Sequence, residues 1–459
     1  MKTNILSFND FVGKEVEAIG WISRYRKHSK VGFIDLYDKT SRIQVVLTGN
    51  LLDISCGLED LVSIKGIIKK RSTQTINTEQ ELGKIELLAS DIEIISKCTD
   101  LPFSINESTS LVDESLRLKY RYLDLRTERM RKNIISRAKM IKAFRNFFDE
   151  NGFLEIETPA LTKGTPEGAR EYLVPSRLYP GEGYVLPQSP QQFKQLLMVA
   201  GIERYYQLAR CFRDEDSRKD RQPEFTQFDI ETSFFSQDEV MNLAESAVTS
   251  MIRDVFPFLK LPDGKFPIYT YDYVIKKYNS DKPDLRKNPK DPSELAFCWV
   301  VDFPMFEIDP TENKISAVHH PFTRPNVKNV GDLDKPEKDL LKIKASAYDL
   351  VLNGYEIAGG SLRISDIALQ HKVFEILGLK EKEVKTRFGH MLEAFKFSPP
   401  PHGGIAFGFD RLVAVLCGES SIREVIAFPK TGEALDLLMG APSEMANKAL
   451  KVLHLKKIK

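Results

Sequence analysis

Residues 212–231 read FRDEDSRKDRQPEFTQFDIE, and eleven of the twenty are charged, with the signs interleaved. Arginine suits a phosphate because its planar guanidinium offers two parallel charge-assisted hydrogen bonds. Carboxylates beside it would repel that phosphate unless a divalent cation stood between them. Arg213 next to Asp214, Glu215 and Asp216 therefore points to a Mg²⁺-nucleotide such as ATP. Phe225 supplies a ring on which an adenine can stack, worth about 1–3 kcal/mol per base in comparable settings. Taken alone, the run also fits a salt-bridge network that only holds a loop together. The chain contains no GxxxxGK[ST] and no GxGxxG, so a nucleotide here would be gripped by side chains rather than by a glycine loop.

Several elements must position these groups. EFTQFDIE alternates like a strand, and GYVLPQ, ERYYQLARCFR and AFCWVVDFPMF are also strand-like. A run of helices follows, among which AYDLVLN leads into the strand-like GYEIAGGSLRI. Upstream, NIISRAKMIKAFRNFFDE places Ile134, Ala138, Ile141, Phe144 and Phe148 at helical spacing, and Asn151–Gly152 supplies the stop. That spacing predicts a helix packing this apolar face on a neighbour or a partner. Residues 133–459 thus read as an α+β domain with a largely antiparallel sheet. The polar, proline-rich 276–295, KKYNSDKPDLRKNPKDPSEL, reads as a connection or shortened insertion.

Residues 1–104 read as all-β. KEVEAIGWI, VGFIDLYD, SRIQVVL, LVSIKGII and KIELLASDIEII are five short β-branched runs with a polar gap after the third, which fits an OB-fold barrel among other five-stranded barrels. Residues 105–132, dense in charge, read as a hinge.

Composition bounds the rest. The 459 residues suffice for two or three domains, and a net charge of +1 means that any polyanion must be met by local basic patches. The five cysteines show neither CxxC nor CxxH spacing, which argues for reduced thiols and against a structural zinc site. No apolar run approaches the ~18 residues of a membrane span, and the N-terminus lacks the pattern of a leader. The expectation is a soluble, cytoplasmic protein with no membrane association.

Six collinear segments carry a resemblance. GFLEIETPALTKGTPEGAR, LPQSPQQFKQLLM, FRDEDSRKDRQPEFTQFDIE, HHPF, NGYEIAGGSLRI and GIAFGFDRL occur in the order found in bacterial-type aspartyl-tRNA synthetases, a family of class II aminoacyl-tRNA synthetases. They resemble motif 1 with its following flipping loop, motif 2, motif 3 and the segments between them. The resemblance implies the class II catalytic fold behind an N-terminal anticodon-binding OB barrel. It implies activation of L-aspartate by ATP and transfer to the 3′ end of tRNA(Asp). Some relatives also charge tRNA(Asn), and the resemblance leaves that open. Motif 1, with its helix and Pro159 strand, implies a homodimer.

Site roles follow position by position from the resemblance. Arg213 would bind the α-phosphate and Arg411 the far end of the triphosphate, with Glu356 completing the catalytic set. Asp214, Glu215, Gln222, Phe225, Gly408, Phe409 and Asp410 would surround ATP, and Asp349 with Glu356 would hold Mg²⁺. Lys194 and Arg363 would bind the side-chain carboxylate of aspartate. Glu167, Ser189, Gln191, Arg213, Asp229 and His319 would surround the same substrate. Asparagine would then leave two buried cations facing a neutral amide, at a cost of several kcal/mol.

In the barrel, GWISRYRKHSKVGFIDLYDKTSRIQVV places Arg24, Arg26, Lys27 and Lys30 beside Phe33 and Gln44. Cations interleaved with an aromatic suit single-stranded RNA, although a solvated edge strand carries the same pattern. The resemblance assigns anticodon contacts to Arg24, Arg26, Phe33, Gln44 and Glu86, with the loop RKHSKVG departing from the family pattern. A second departure is length: residues 232–318 leave little room for the insertion domain that bacterial members carry, so its contacts to tRNA are in doubt. Two other readings compete. One is a synthetase of the same subclass for asparagine or lysine. The other is a non-catalytic RNA-binding relative, which predicts loss of Arg213, Glu356 or Arg411; all three are present.

Overall fold

The computed structural model describes residues 4–106, 109–164, 169–216, 218–310 and 313–457. The chain divides into two compact units, Met1–Glu128 and Arg129–Lys459. In the first, five strands close a barrel: β1 (Glu15–Lys27), β2 (Gly32–Tyr37), β3 (Arg42–Leu47), β4 (Leu61–Lys70) and β5 (Ile85–Ser96), in the order β1-β2-β3-β5-β4. Alternation sends Val16, Ala18, Ile22, Ile34, Val45, Ile64 and Leu87 into one core, each large side chain contributing about 1.5–3 kcal/mol by leaving water. The helices α1 (Glu114–Lys119) and α2 (Arg121–Asp124) follow, the first capped by Asp113, whose side chain accepts from the Ser115 and Leu116 N–H groups.

The second unit starts with the long helix α3 (Glu128–Glu150), followed by β6 (Leu154–Glu155), the hairpin β7 (Leu173–Pro175) and β8 (Gly183–Val185), and helix α4 (Gln191–Val199). Then come β9 (Arg204–Phe212), β10 (Glu224–Ser233), α5 (Gln237–Val255), β11 (Ile268–Thr270) and α6 (Tyr271–Tyr278). Next are β12 (Phe297–Val301), the hairpin β13 (Phe306–Ile308) and β14 (Ile315–Ala317), α7 (Glu337–Leu340), β15 (Ala347–Leu352) and β16 (Tyr355–Leu362). Helices α8 (Ile367–Ile376) and α9 (Glu381–Phe395), strand β17 (His402–Gly408), α10 (Phe409–Leu416) and α11 (Asn447–Val452) complete it.

Eight strands form one sheet in the order β11-β12-β15-β16-β17-β10-β9-β6. It is antiparallel through its centre, with parallel pairings only at the two edges, β11 with β12 and β6 with β9. Phe144 of α3 packs on this sheet with its ring centroid 5.0 Å from Phe228 and 5.3 Å from Phe407. Among the described residues no helix is long and apolar enough to cross a membrane.

Two local expectations need correction. AYDLVLN is a strand, β15, not a helix, and all six residues of Ala347–Leu352 are buried. A strand covered on both faces loses its alternation and then reads like a short buried helix. In α3, Phe144 and Phe148 face the core as expected, but Ala138 is exposed and Ile134 and Ile141 are only half-buried. The first half of the buried stripe is Met130, Asn133, Ser136 and Met140. Asn133 is tolerated there because its amide donates to the Glu419 carboxylate at 2.7 Å and the Glu424 carbonyl at 3.1 Å.

Candidate functional site

Strand β10 builds the site. Residues 225, 227, 229 and 231 point to one face because side chains alternate along a strand. Phe225 and Gln227 line a cleft of about 250 Å³, and Asp229 and Glu231 continue from it as buried carboxylates. Strand β16 runs a similar course, with Glu356 lining the cleft and Arg363 buried just beyond the strand's end.

The cleft gathers Arg213, Glu215, Gln222 and Phe225 from the loop and strand at 212–231. It also receives Glu356, Gly408, Asp410 and Arg411. The Arg213 guanidinium lies over the Phe225 ring, 5.1 Å from its centroid, and its buried Nε has no hydrogen-bond partner among the described residues. Arg411 donates from Nη1 to the Glu356 carbonyl at 2.6 Å and approaches Asp220 at 3.4 Å. Gln222 is pinned by the Lys430 backbone, accepting from its N–H at 2.7 Å and donating to its carbonyl at 3.1 Å.

Three of the residues expected around a nucleotide have other duties. Asp214 turns toward Arg170, at 3.7 Å, and is not among the cleft-lining residues. Phe409 is fully buried in the core, its ring 6.1 Å from Phe144. Asp410 reaches the cleft wall but is held by Arg137 at 2.5 Å and by the Thr226 N–H at 2.7 Å, so it ties α10 to β10 and α3.

Asp349 and Glu356 stand on paired strands on either side of Gly359. A Cβ at Gly359 would meet Asp349 Oδ1 at 2.9 Å and Glu356 Oε1 at 3.5 Å, so glycine keeps the space between them open. Asp349 is buried and its Oδ1 has no partner among the described residues. Burial, and next the Glu356 charge, push its carboxyl well above the usual range. A divalent cation would relieve both effects. Two carboxylates with room for phosphate oxygens and water fit Mg²⁺, which seldom takes an all-protein cage.

Deeper in, four charges interlock. Lys194 on α4 donates to Asp229 Oδ1 at 2.7 Å and lies 3.1 Å from Glu231 Oε2. Arg363 forms a fork on Glu231, with Nε to Oε1 at 3.0 Å and Nη2 to Oε2 at 3.1 Å. Its Nη1 reaches Ser361 Oγ at 2.7 Å and His320 Nε2 at 2.6 Å. Arg363 foremost, with Lys194, holds Glu231 down at about 2 against the cost of burial. Asp229 is raised to about 6, because burial outweighs Lys194. Its Oδ2 is buried without a partner among the described residues, as is Gln191 Nε2, one turn before Lys194 on α4.

His319 and Arg363 are both in this region, but it is His320 that touches Arg363. His319 packs edge-on to Phe303 at 4.7 Å, and burial lowers its imidazole to about 4. Ser189 accepts from the Gln191 N–H at 3.2 Å, and Glu167 lies outside the described residues. Glu231, His320 and Ser361 were missed in the sequence. Glu231 alone had a legible signal, the period-two series from Phe225 through Asp229.

On the barrel, Arg26 lies over Phe33 at 5.9 Å and 3.6 Å from Asp35, and Gln44 donates to Glu86 at 3.2 Å. Neighbouring strands β1, β2, β3 and β5 thus bring Arg26, Phe33, Gln44 and Glu86 to one surface. Arg24 is exposed one alternation earlier, across from Asp35. Lys27 turns away, its Nζ donating to the Leu52 carbonyl at 2.5 Å. Two further groups join: His28, edge-on to Phe33 at 6.1 Å, and the buried Arg71, 3.8 Å from Glu86.

The description "tRNA synthetases class II (D, K and N)" matches residues 113–432, and "OB-fold nucleic acid binding domain" matches residues 16–95. The Aspartate--tRNA(Asp/Asn) ligase of Caldanaerobacter subterraneus subsp. tengcongensis is 39% identical over 575 residues, covering 97% of this chain and 96% of that protein. The protein of the same name from Thermotoga maritima is 39% identical over 572 residues, covering 97% of each. Both matched spans are longer than this chain of 459 residues, so those relatives carry residues with no counterpart here. Asparaginyl-tRNA synthetase from Pyrococcus horikoshii, solved with asparaginyl-adenylate, superposes with a TM-score of 0.73 at 21% identity, covering 94% of this chain and 98% of that one. Aspartyl tRNA synthetase from Entamoeba histolytica gives 0.70 at 20%, covering 94% and 91%. At these identities the two structures speak to the fold alone.

Proposed function

The chain belongs to the class II tRNA synthetases of the aspartate, lysine and asparagine group, and within it we propose an aspartate–tRNA ligase. The α-carboxylate of L-aspartate attacks the α-phosphorus of ATP, pyrophosphate leaves, and the terminal ribose hydroxyl of the tRNA then displaces AMP. The bacterial relatives are named for both tRNA(Asp) and tRNA(Asn), and on that ground we extend the proposal to both acceptors.

The observation that carries this reading is the meeting of Lys194 and Arg363 at Glu231, in a buried pocket reached along the two strands that line the nucleotide cleft. Glu231 already answers both cations, so a substrate carboxylate is recognised by the protons they have left: the third on Lys194 Nζ and the second on Arg363 Nη2, since both on Nη1 are taken by Ser361 and His320. Asp229 Oδ2 suits the substrate ammonium. Arg213 takes the α-phosphate and Arg411 the far phosphates, while Phe225 faces the base. Mg²⁺, held by Asp349 and Glu356, would neutralise phosphate charge. Catalysis then rests on positioning and electrostatics, with no protein nucleophile.

On the barrel, Arg26, Phe33, Gln44 and Glu86 form the anticodon surface, stacking and reading unpaired bases. The exposed residues Ile135 and Leu154 of α3 and β6 belong to a homodimer interface, which sedimentation at micromolar concentration tests. The cytoplasm is the compartment that supplies these substrates.

The deciding experiment is aspartate-dependent ATP–pyrophosphate exchange, followed by charging of tRNA(Asp) and tRNA(Asn) in parallel. Exchange and charging of both acceptors is the expected result. Charging of tRNA(Asp) alone would restrict the proposal to one acceptor. Exchange driven by asparagine or lysine, or by no amino acid, would overturn it.

A further inference from the structure

Helix α6 and the connector behind it carry five exposed lysines: Lys276, Lys277, Lys282, Lys287 and Lys290. Among the described residues, none has a carboxylate within ion-pair distance, because the neighbouring acids are committed elsewhere. Asp272 is taken by Lys344 at 2.7 Å, Asp284 by Arg286 at 2.6 Å and Asp291 by Lys260 at 2.7 Å. Glu294 accepts the Lys287 and Asn288 N–H groups at 2.8 and 3.0 Å. Asp281 is the one exposed acid here with no such commitment. Residues 271–295 hold six cations and five acids, and because Lys344 and Lys260 from outside the segment answer two of those acids, its own lysines are left in excess.

The segment is held in place. Pro283 is buried, and Leu285 packs in a core with Val274 and Val300. The Asn353 side chain clamps its far end, accepting from the Ala296 N–H at 2.8 Å and donating to the Glu294 carbonyl at 3.0 Å. A Cβ at Gly354 would touch Asp284 Cβ at 3.5 Å and the Lys282 carbonyl at 4.0 Å, so the connector lies against that turn. Asn353 and Gly354 join β15 to β16, the hairpin that carries Asp349 and Glu356. The lysines are therefore built onto the edge of the site itself, and Asp281 and Lys282 are near enough for their charges to act on Asp349.

We propose that α6 and its connector receive the sugar–phosphate backbone of the tRNA acceptor end, with Lys276, Lys287 and Lys290 neutralising successive phosphates as the terminal nucleotide enters the site. The proposal rests on the tRNA-charging reading above. ATP is the poorer occupant: its phosphates already have Arg213 and Arg411, and cations spread over fifteen positions match charges strung along a strand. Lysine acts there as a mobile point charge that positions RNA without reading its sequence.

The test is the triple variant Lys276→Gln, Lys287→Gln and Lys290→Gln in the full chain, with tRNA(Asp) as probe; Lys282 is left in place because its charge acts on Asp349. Affinity for tRNA at 0.15 M salt is expected to fall about fivefold for each lysine removed, and the slope of log affinity against log salt by about one unit per lysine. Arginine at all three positions restores both, and pyrophosphate exchange, which needs no tRNA, stays at the parent rate. Unchanged tRNA affinity and salt slope would overturn the proposal. So would a raised KM for ATP with tRNA binding intact, which would assign the lysines to the nucleotide. The parent protein separates the two readings: if it charges tRNA and the variant matches it, only this proposal fails.

Discussion

The Glu231 carboxylate lies directly over Gly404 on the neighbouring strand β17, its partner in register. A Cβ at that position would stand 2.9 Å from Glu231 Cδ and closer still to Oε2. Gly404 therefore admits the group that organises the pocket. Gly404→Ala must displace Glu231 from Lys194 and Arg363 and also push on the Ile230 carbonyl, which the Cβ would meet as closely. An overpacking cost of about 1–3 kcal/mol is expected in urea unfolding. Aspartate-dependent exchange should fall with it, and a variant with parent stability and parent KM for aspartate would show that the carboxylate can move without consequence.

Removing the charge tests the network directly. Glu231→Gln leaves Lys194 with Asp229 and Arg363 with no paired carboxylate among the described residues, and breaking a buried pair in this way costs about 3–5 kcal/mol. Thermal unfolding should record a clear drop. An unchanged midpoint would mean that water answers Lys194 and Arg363 as well as Glu231 does.

Acid should abolish aspartate binding before it unfolds the protein. Asp229 is raised to about 6, so below that pH it holds a proton and cannot balance an ammonium group. Its protonation favours the folded chain, whose carboxyl binds the proton more tightly than the unfolded chain does. Glu231, lowered to about 2, stabilises the fold above about 4.5, and that contribution drains away only as pH falls toward 2. The profile of kcat/KM for aspartate should fall through pH 6 while circular dichroism stays native. In Asp229→Asn that limb should vanish along with most of the affinity.

Arg411 tests the nucleotide geometry. Its side chain holds the Glu356 carbonyl and faces the cleft, so Arg411→Ala removes a charge-assisted contact worth about 1.5–3 kcal/mol, or roughly ten- to hundredfold in kcat/KM for ATP. Aspartate activation at full rate in this variant would remove Arg411 from the site.

The carboxylates of Asp349 and Glu356 should appear in the metal dependence. Asp349→Asn ends the repulsion with Glu356 and removes a ligand, so the Mg²⁺ concentration for half-maximal exchange should rise about tenfold or more. The variant should be no less stable without metal, because a buried charge has been lost. An unchanged Mg²⁺ requirement would place the ion elsewhere.

Much of this protein was legible in its sequence. Period-two runs in residues 1–104 indicate a five-stranded barrel, and the mixed-charge run after Phe212 leads to a cleft that Arg213, Phe225, Glu356 and Arg411 share. Those signals are local, carried by residue type and spacing over a few positions. What only the tertiary structure decided depends on partners far away in the chain. Arg363 meets Glu231 across 132 positions, and no periodicity announces that Glu231 answers both cations or that His320, not His319, touches the arginine. AYDLVLN becomes a strand because β12 and β16 flank it and neighbours cover both its faces, leaving no alternation to read. A side chain's chemistry is set by its type, but its charge, its vacant protons and its face are set by what packs against it, and packing is a property of the folded chain.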